Sequence, residues 1–103
     1  QRKPNKKNPA IFEKEIDLHI EELLEDFNGM SNGEILNYQI KIFQKELDKA
    51  ISSKMKKIIF IHGVGNGRLK SEIRHILKSF PELKFCDGSY KKYGYGATEV
   101  ILH

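Results

Sequence analysis

From Phe12 to His19 apolar and charged positions alternate, Phe12, Ile16 and Leu18 against Glu13, Glu15 and Asp17, with Lys14 interrupting. A period of two predicts a strand. Glu21 to Phe27 reads as a short acidic helix ended by Asn28-Gly29. Ser31 and Glu34 have the spacing of a capping box and open a helix that runs to about Ser52. Its apolar residues Leu36, Ile40, Phe43, Leu47, Ala50 and Ile51 form one helical stripe. Met55 to Ile61 is the next strand, and its unbroken run Ile58-Ile59-Phe60-Ile61 predicts a central strand covered on both faces. Leu69, Ile73, Ile76, Leu77 and Phe80 mark a second amphipathic helix, stopped by Pro81. Leu83 to Cys86 is a strand, Asp87 to Gly96 a loop, and Ala97 to Leu102 a closing strand rich in β-branched residues.

The order β-α-α-β-α-β-β predicts an α/β fold: one small domain with a mixed four-stranded sheet flanked by helices. Its 103 residues suit a single core. Residues 1–9 (QRKPNKKNP) are polar, basic and proline-punctuated, a disordered linker or tail, and the domain is expected to span residues 10–103. Because the chain begins with Gln1, it is expected to be the C-terminal part of a longer protein, with other domains as neighbours.

Composition adds a mild bias. Net charge is +4, which favours polyanionic partners without requiring them. Cys86 has no partner for an internal disulfide, no zinc-ligand spacing is present, and no signal-peptide pattern or membrane-spanning run appears. A cytoplasmic protein with no membrane partner is the expectation, with Cys86 a small buried hydrophobe and His75 and His103 ordinary surface or terminal residues.

Three segments carry candidate chemistry. After the central strand comes His62-Gly63-Val64-Gly65-Asn66-Gly67-Arg68, then a helix. Glycines let the chain turn tightly and bring N–H groups near a ligand, and the helix start adds positive potential. Gly63, Gly65, Asn66, Gly67, Arg68 and Lys70 are therefore candidate phosphate contacts. Arg68 stands where the dinucleotide fingerprint or the P-loop requires glycine, so neither motif applies. A tight strand-to-helix connection would also use such glycines.

Asp17 and His19 lie on one face at the end of the first strand. Such a pair can act as base and orienting partner or hold a divalent metal such as magnesium or manganese; it is also what the solvated face of a strand end looks like. If the two strands are parallel neighbours, Asp17, His19 and His62 converge on the glycine turn, where open α/β sheets bind ligands. In the loop, Lys91, Lys92 and Tyr93 interleave cations with aromatic rings, as in single-strand binding surfaces, or form a solvated hairpin.

Ile16-Asp17-Leu18-His19, His62-Gly63-Val64-Gly65-Asn66-Gly67-Arg68-Leu69 and Gly96-Ala97-Thr98 together resemble the Smr (small MutS-related) domain. The resemblance implies a fold like the C-terminal domain of bacterial translation initiation factor three. It also implies DNA or RNA binding, often with nicking or endonuclease activity, at Asp17, His19, His62 and the glycine turn, with Lys70 as the basic residue after it. One departure stands out: Ile20 replaces a family glycine, followed by the acidic segment Glu21 to Asp26. These residues are expected to narrow access or repel phosphates, or to add a metal ligand at Asp26. The alternative functions are a non-catalytic nucleic-acid-binding module and a protein-interaction module of a larger protein.

Overall fold

The computed structural model describes residues 13–102; the basic segment 1–9, Phe12 and His103 lie outside the described residues. The elements are β1 (Glu13–Asp17), α1 (Ile20–Leu23), α2 (Asn32–Ser52), β2 (Lys57–Ile61), α3 (Arg68–Leu77), β3 (Lys84–Asp87), α4 (Tyr90–Tyr93) and β4 (Ala97–Ile101). The expected mixed four-stranded sheet forms, in the order β1-β2-β4-β3. β1 and β2 are parallel, with Asp17 opposite Ile61. β4 runs antiparallel to both β2 and β3, placing Ala97 opposite Ile61 and Asp87 opposite Thr98.

That register decides where the site lies. The C-terminal ends of β1, β2 and β3 and the start of β4 all reach one edge of the sheet. Asp17, His62, Asp87 and the Gly96-Ala97-Thr98 segment are thereby gathered from four separate stretches of chain.

α2 is anchored as its sequence predicts. Ser31 Oγ accepts the Glu34 N–H at 3.1 Å and Glu34 Oε1 accepts the Ser31 N–H at 2.8 Å, closing the capping box. Its stripe buries Phe43, Leu47 and Ala50 against Ile58 and Phe60 of β2, Val100 of β4 and Ile73 and Leu77 of α3. The Phe43 and Phe60 rings meet edge to face, 4.6 Å between centroids.

Several boundaries and one layer differ from expectation. α1 covers only Ile20–Leu23 because Leu24 turns extended and Asp26 Oδ1 takes the Asn28 N–H at 2.9 Å, a local turn that competes with helix. The segment expected to be a plain loop contains α4, started by Ser89 and ended by Gly94 at φ 62°. β2 is central and, as expected, buried on both faces at Ile58, Ile59 and Phe60, but the helical core covers only the Ile58 and Phe60 face. The opposite face of the sheet carries Glu13, Glu15, Lys57, Ile59 and Glu99, alternating with the core positions. Cys86 falls on that second face and is exposed, not a buried hydrophobe, because the pairing Phe85 to Val100 turns Phe85 inward instead.

Phe60 sits at the centre of this core with no exposure. Replacing it with alanine is expected to cost about 3–5 kcal/mol, measured by urea denaturation. That is much of the roughly 5–15 kcal/mol that a domain of this kind has in total.

Candidate active site

β1 ends by presenting Asp17 and His19 on the same side, as the alternation predicts. The Asp17 carboxylate oxygen Oδ1 accepts from His19 Nδ1 at 2.7 Å and from the His19 backbone N–H at 3.0 Å. Since a carboxylate only accepts, Nδ1 carries the proton and the lone pair of the neutral ring lies on Nε2. Nε2 faces the glycine turn: a Cβ placed on Gly63 would lie 2.7 Å from it. Gly63 also has φ 81°, so glycine is required there twice over, by conformation and by the imidazole packed against it.

The turn is held from the other side by β4. The Gly96 carbonyl accepts the His62 N–H at 2.9 Å and the Gly63 N–H at 3.0 Å. A Cβ on Gly96 would meet Gly63 Cα at 3.4 Å and the Tyr93 carbonyl at 3.2 Å, so both motif glycines serve one close backbone approach. Beyond it the chain is open. Among the described residues, the N–H groups of Val64, Gly65, Asn66 and Gly67 donate to no backbone carbonyl. Asn66 Oδ1 caps the Arg68 N–H at 3.0 Å, and Gly67 enters α3 with φ 79°. Free N–H donors followed by a helix start are the elements of an anion site. A pocket of about 250 Å³ borders the turn, lined by Gly33, Gln39, His62, Asn66 and Arg68 among others.

His62 occupies a different chemical position from His19. It is only 8% exposed, and both ring nitrogens are bonded. Nδ1 donates to the Gly63 carbonyl at 2.9 Å, which leaves Nε2 to accept from the Thr98 hydroxyl at 2.9 Å. Thr98 in turn accepts from Arg74 Nη2 at 3.4 Å, and Arg74 Nη2 donates to Asp87 at 2.6 Å. Lys70 Nζ lies 3.3 Å from the same carboxylate. Burial holds the His62 imidazole below its ordinary pKa, opposed by the Gly63 carbonyl and reinforced by the Lys70 and Arg74 charges. Lys70 beside Asp87 keeps that carboxyl below the usual range. Thr98 was marked only as part of the Gly96-Ala97-Thr98 motif, and Arg74 and Asp87 had no signal of their own: the β2–β4 and β3–β4 registers and α3 bring the three to His62.

The remaining expected contacts divide. Arg68 is exposed at the turn, and among the described residues it makes no ion pair. Lys92 pairs with Glu15 at 3.4 Å, and the Tyr93 hydroxyl donates to Glu15 as well, so both lean onto β1. The Tyr93 ring also packs beside Gly88, where an added Cβ would stand 3.2 Å away. Lys91 is exposed. The two tyrosines left in the open are Tyr90 and Tyr95.

Ile20, the departure from the family pattern, is 9% exposed and turns into the core, while Glu21 and Glu22 stay in solvent. Among the described residues no three His, Cys, Asp or Glu side chains gather as a metal-holding group, Asp26 included. Nor, among them, is any helix long and apolar enough to cross a membrane.

The family model for the Smr domain matches residues 26–103. An endonuclease MutS2 of Caldicellulosiruptor saccharolyticus is 36% identical over 97 residues, which is 93% of this chain and 11% of that protein. For an endonuclease MutS2 of Aquifex aeolicus the figures are 34% over 71 residues, 68% of this chain and 9% of that protein. The chain therefore spans about a tenth of the length of these relatives. The crystal structure of the Smr domain of Thermus thermophilus MutS2 superposes with a TM-score of 0.67 at 24% identity, covering 87% of this chain and 98% of that one. The shared fold is the one described above.

Two outcomes test the buried network. Thr98→Val removes the donor to His62 and an acceptor for Arg74, and is expected to cost about 1–3 kcal/mol in urea denaturation. The pH dependence follows from the lowered His62 pKa. Unfolded, this histidine titrates near 6.5; folded, it resists protonation. Stability is thus fully present above 6.5 and is lost as pH falls below it toward the folded value. Thermal midpoints measured from about pH 7.5 to about pH 5 should fall for the native chain, with a shallower slope for His62→Gln.

Proposed function

This chain belongs to the Smr domain family, and on that premise we propose that it binds nucleic acid at the glycine turn and cleaves a phosphodiester there. The observation that carries the reading is the Asp17–His19 pair with its free Nε2 set against Gly63. Asp17 fixes the tautomer and the ring, and His19 Nε2 acts as general base. It takes the proton of a water, or of a ribose 2′-hydroxyl in RNA, as that oxygen attacks phosphorus. The P–O bond to the leaving nucleotide breaks, and the departing oxygen is protonated from solvent.

The N–H groups from Val64 to Gly67, the first turn of α3 and the Arg68 guanidinium hold the non-bridging oxygens, where negative charge develops. His62 is a positioning residue in this scheme. Its Nδ1–H fixes the Gly63 carbonyl, and with it the peptide against which His19 rests. No step requires a metal in this account, and Asp17 retains Oδ2 as a free acceptor should a cation bind. The relatives named endonuclease MutS2 agree with the reading.

A second reading, binding without cleavage, is favoured by one observation. Lys70 and Lys92 are already engaged by Asp87 and Glu15, which reduces the cationic charge left for a transition state.

Nicking of supercoiled plasmid DNA and cleavage of end-labelled RNA separate the two. The native chain is expected to cut at least one, with His19→Ala reducing the rate about 10²–10⁴-fold and Asp17→Ala also slowing it. Cleavage unchanged in both variants defeats the proposed mechanism. Binding without turnover in the native chain selects the second reading.

A further inference from the structure

Two aromatic rings stand in water beside the glycine turn. Tyr90 is 66% and Tyr95 62% exposed, and they meet edge to face with centroids 4.9 Å apart. Large exposed rings are informative where scattered small apolar groups are not. Here they are also fixed in place. The Tyr90 carbonyl accepts the Gly94 N–H at 2.7 Å, and the Gly96 N–H donates to the Tyr93 carbonyl at 3.1 Å, on either side of Tyr95. Gly94, at φ 62°, ends α4 and aims the chain back to the sheet.

Their position relative to the turn is set by covalent neighbours. Tyr95 directly precedes Gly96, whose carbonyl holds the N–H groups of His62 and Gly63. Lys70, in the first turn of α3, places its ammonium 6.0 Å from the Tyr95 ring centroid. The same ammonium is 3.3 Å from Asp87, which holds it over the ring. An exposed pair of rings next to a fixed cation, one residue from the glycine that holds the start of the turn, matches the chemistry of an unpaired nucleobase whose phosphate lies in the turn. A base inside a duplex keeps its faces against its neighbours and has no surface to offer.

We infer that Tyr95 and Tyr90 form a stacking platform for an unpaired base next to the phosphate held at the glycine turn, so that the substrate is single-stranded or flipped out at that point. The inference rests on the nucleic-acid reading above and adds to it the strandedness of the substrate. It also reassigns the aromatic contact of this loop from Tyr93, whose hydroxyl is tied to Glu15, to the two tyrosines in the open.

Fluorescence anisotropy with the full chain tests it, using a labelled oligothymidylate of about 12 nucleotides and a blunt duplex of the same length. Tyr95→Ala and the double variant Tyr90→Ala/Tyr95→Ala are expected to weaken single-strand binding by about five-fold or more. Their duplex affinity should stay at the native level, and Tyr95→Phe should bind like the native chain because the ring is kept. Single-strand affinity unchanged in the double variant, equal losses on strand and duplex, or a Tyr95→Phe variant as weak as Tyr95→Ala each overturn the platform. A native chain that binds neither oligonucleotide at low salt overturns the nucleic-acid reading itself. Native-level binding with insensitivity to the tyrosines removes only the platform.

Discussion

The Gly96 carbonyl accepts two N–H groups, those of His62 and Gly63, and the geometry of the whole edge follows from that one contact. It joins the end of β2 to the start of β4 at a distance that only glycine allows on both sides. Gly63 lies in the left-handed region, and its lack of a Cβ leaves room for the His19 ring. The catalytic candidate, the turn and the last strand are therefore one unit. A change at any of the three shifts the others, because the fit has no slack in which to absorb a methyl group.

A second constraint supports the first from beneath. His62 is neutral and buried so that one ring nitrogen can hold the Gly63 carbonyl while the other accepts from Thr98. Arg74 and Asp87 complete the chain outward to solvent. A histidine beside a glycine-rich turn suggests catalysis from its sequence position; here both of its ring nitrogens are hydrogen-bonded within the domain. His19, half in solvent and bonded at one nitrogen alone, has the capacity left to move a proton.

How much of this was legible in the sequence depended on how local the cause was. α2 could be read from Ser31, Glu34 and its stripe because a cap and a helical period are properties of neighbouring residues. Alternation and the Ile58 run gave the two strands, while the meeting of Asp17, His19 and the turn was conditional on their lying parallel side by side, which the β1–β2 register supplies. Thr98 could be seen as part of a motif, but its link to Arg74 and Asp87 was invisible because two strand registers and the packing of α3 create it. α4 was nearly visible: Ser89 caps it through the Lys92 N–H at 3.3 Å and Gly94 ends it, a start and a stop too close together to read as a helix. Cys86 was misplaced because it falls on the face of the sheet away from the helical core. In strands this short the pattern does not say which alternate set the helices will cover.

Charge completes the argument about binding. Arg2, Lys3, Lys6 and Lys7 together equal the net +4 of the chain, so residues 10–103 are formally neutral. Within the domain, Lys70 and Arg74 are paired with Asp87 and Lys92 with Glu15, which leaves Arg68 as the cation at the turn with no ion pair among the described residues. A polyanion is therefore not drawn to this edge by a broad positive field. In the proposed reading what holds it is short-ranged: four N–H groups with no backbone partner among the described residues, the first turn of α3, Arg68, and two exposed rings. Such contacts reward a phosphate and a base in one geometry and give little to a duplex approached from outside. In that reading the edge selects by shape, and the four positive charges of residues 1–9 add attraction.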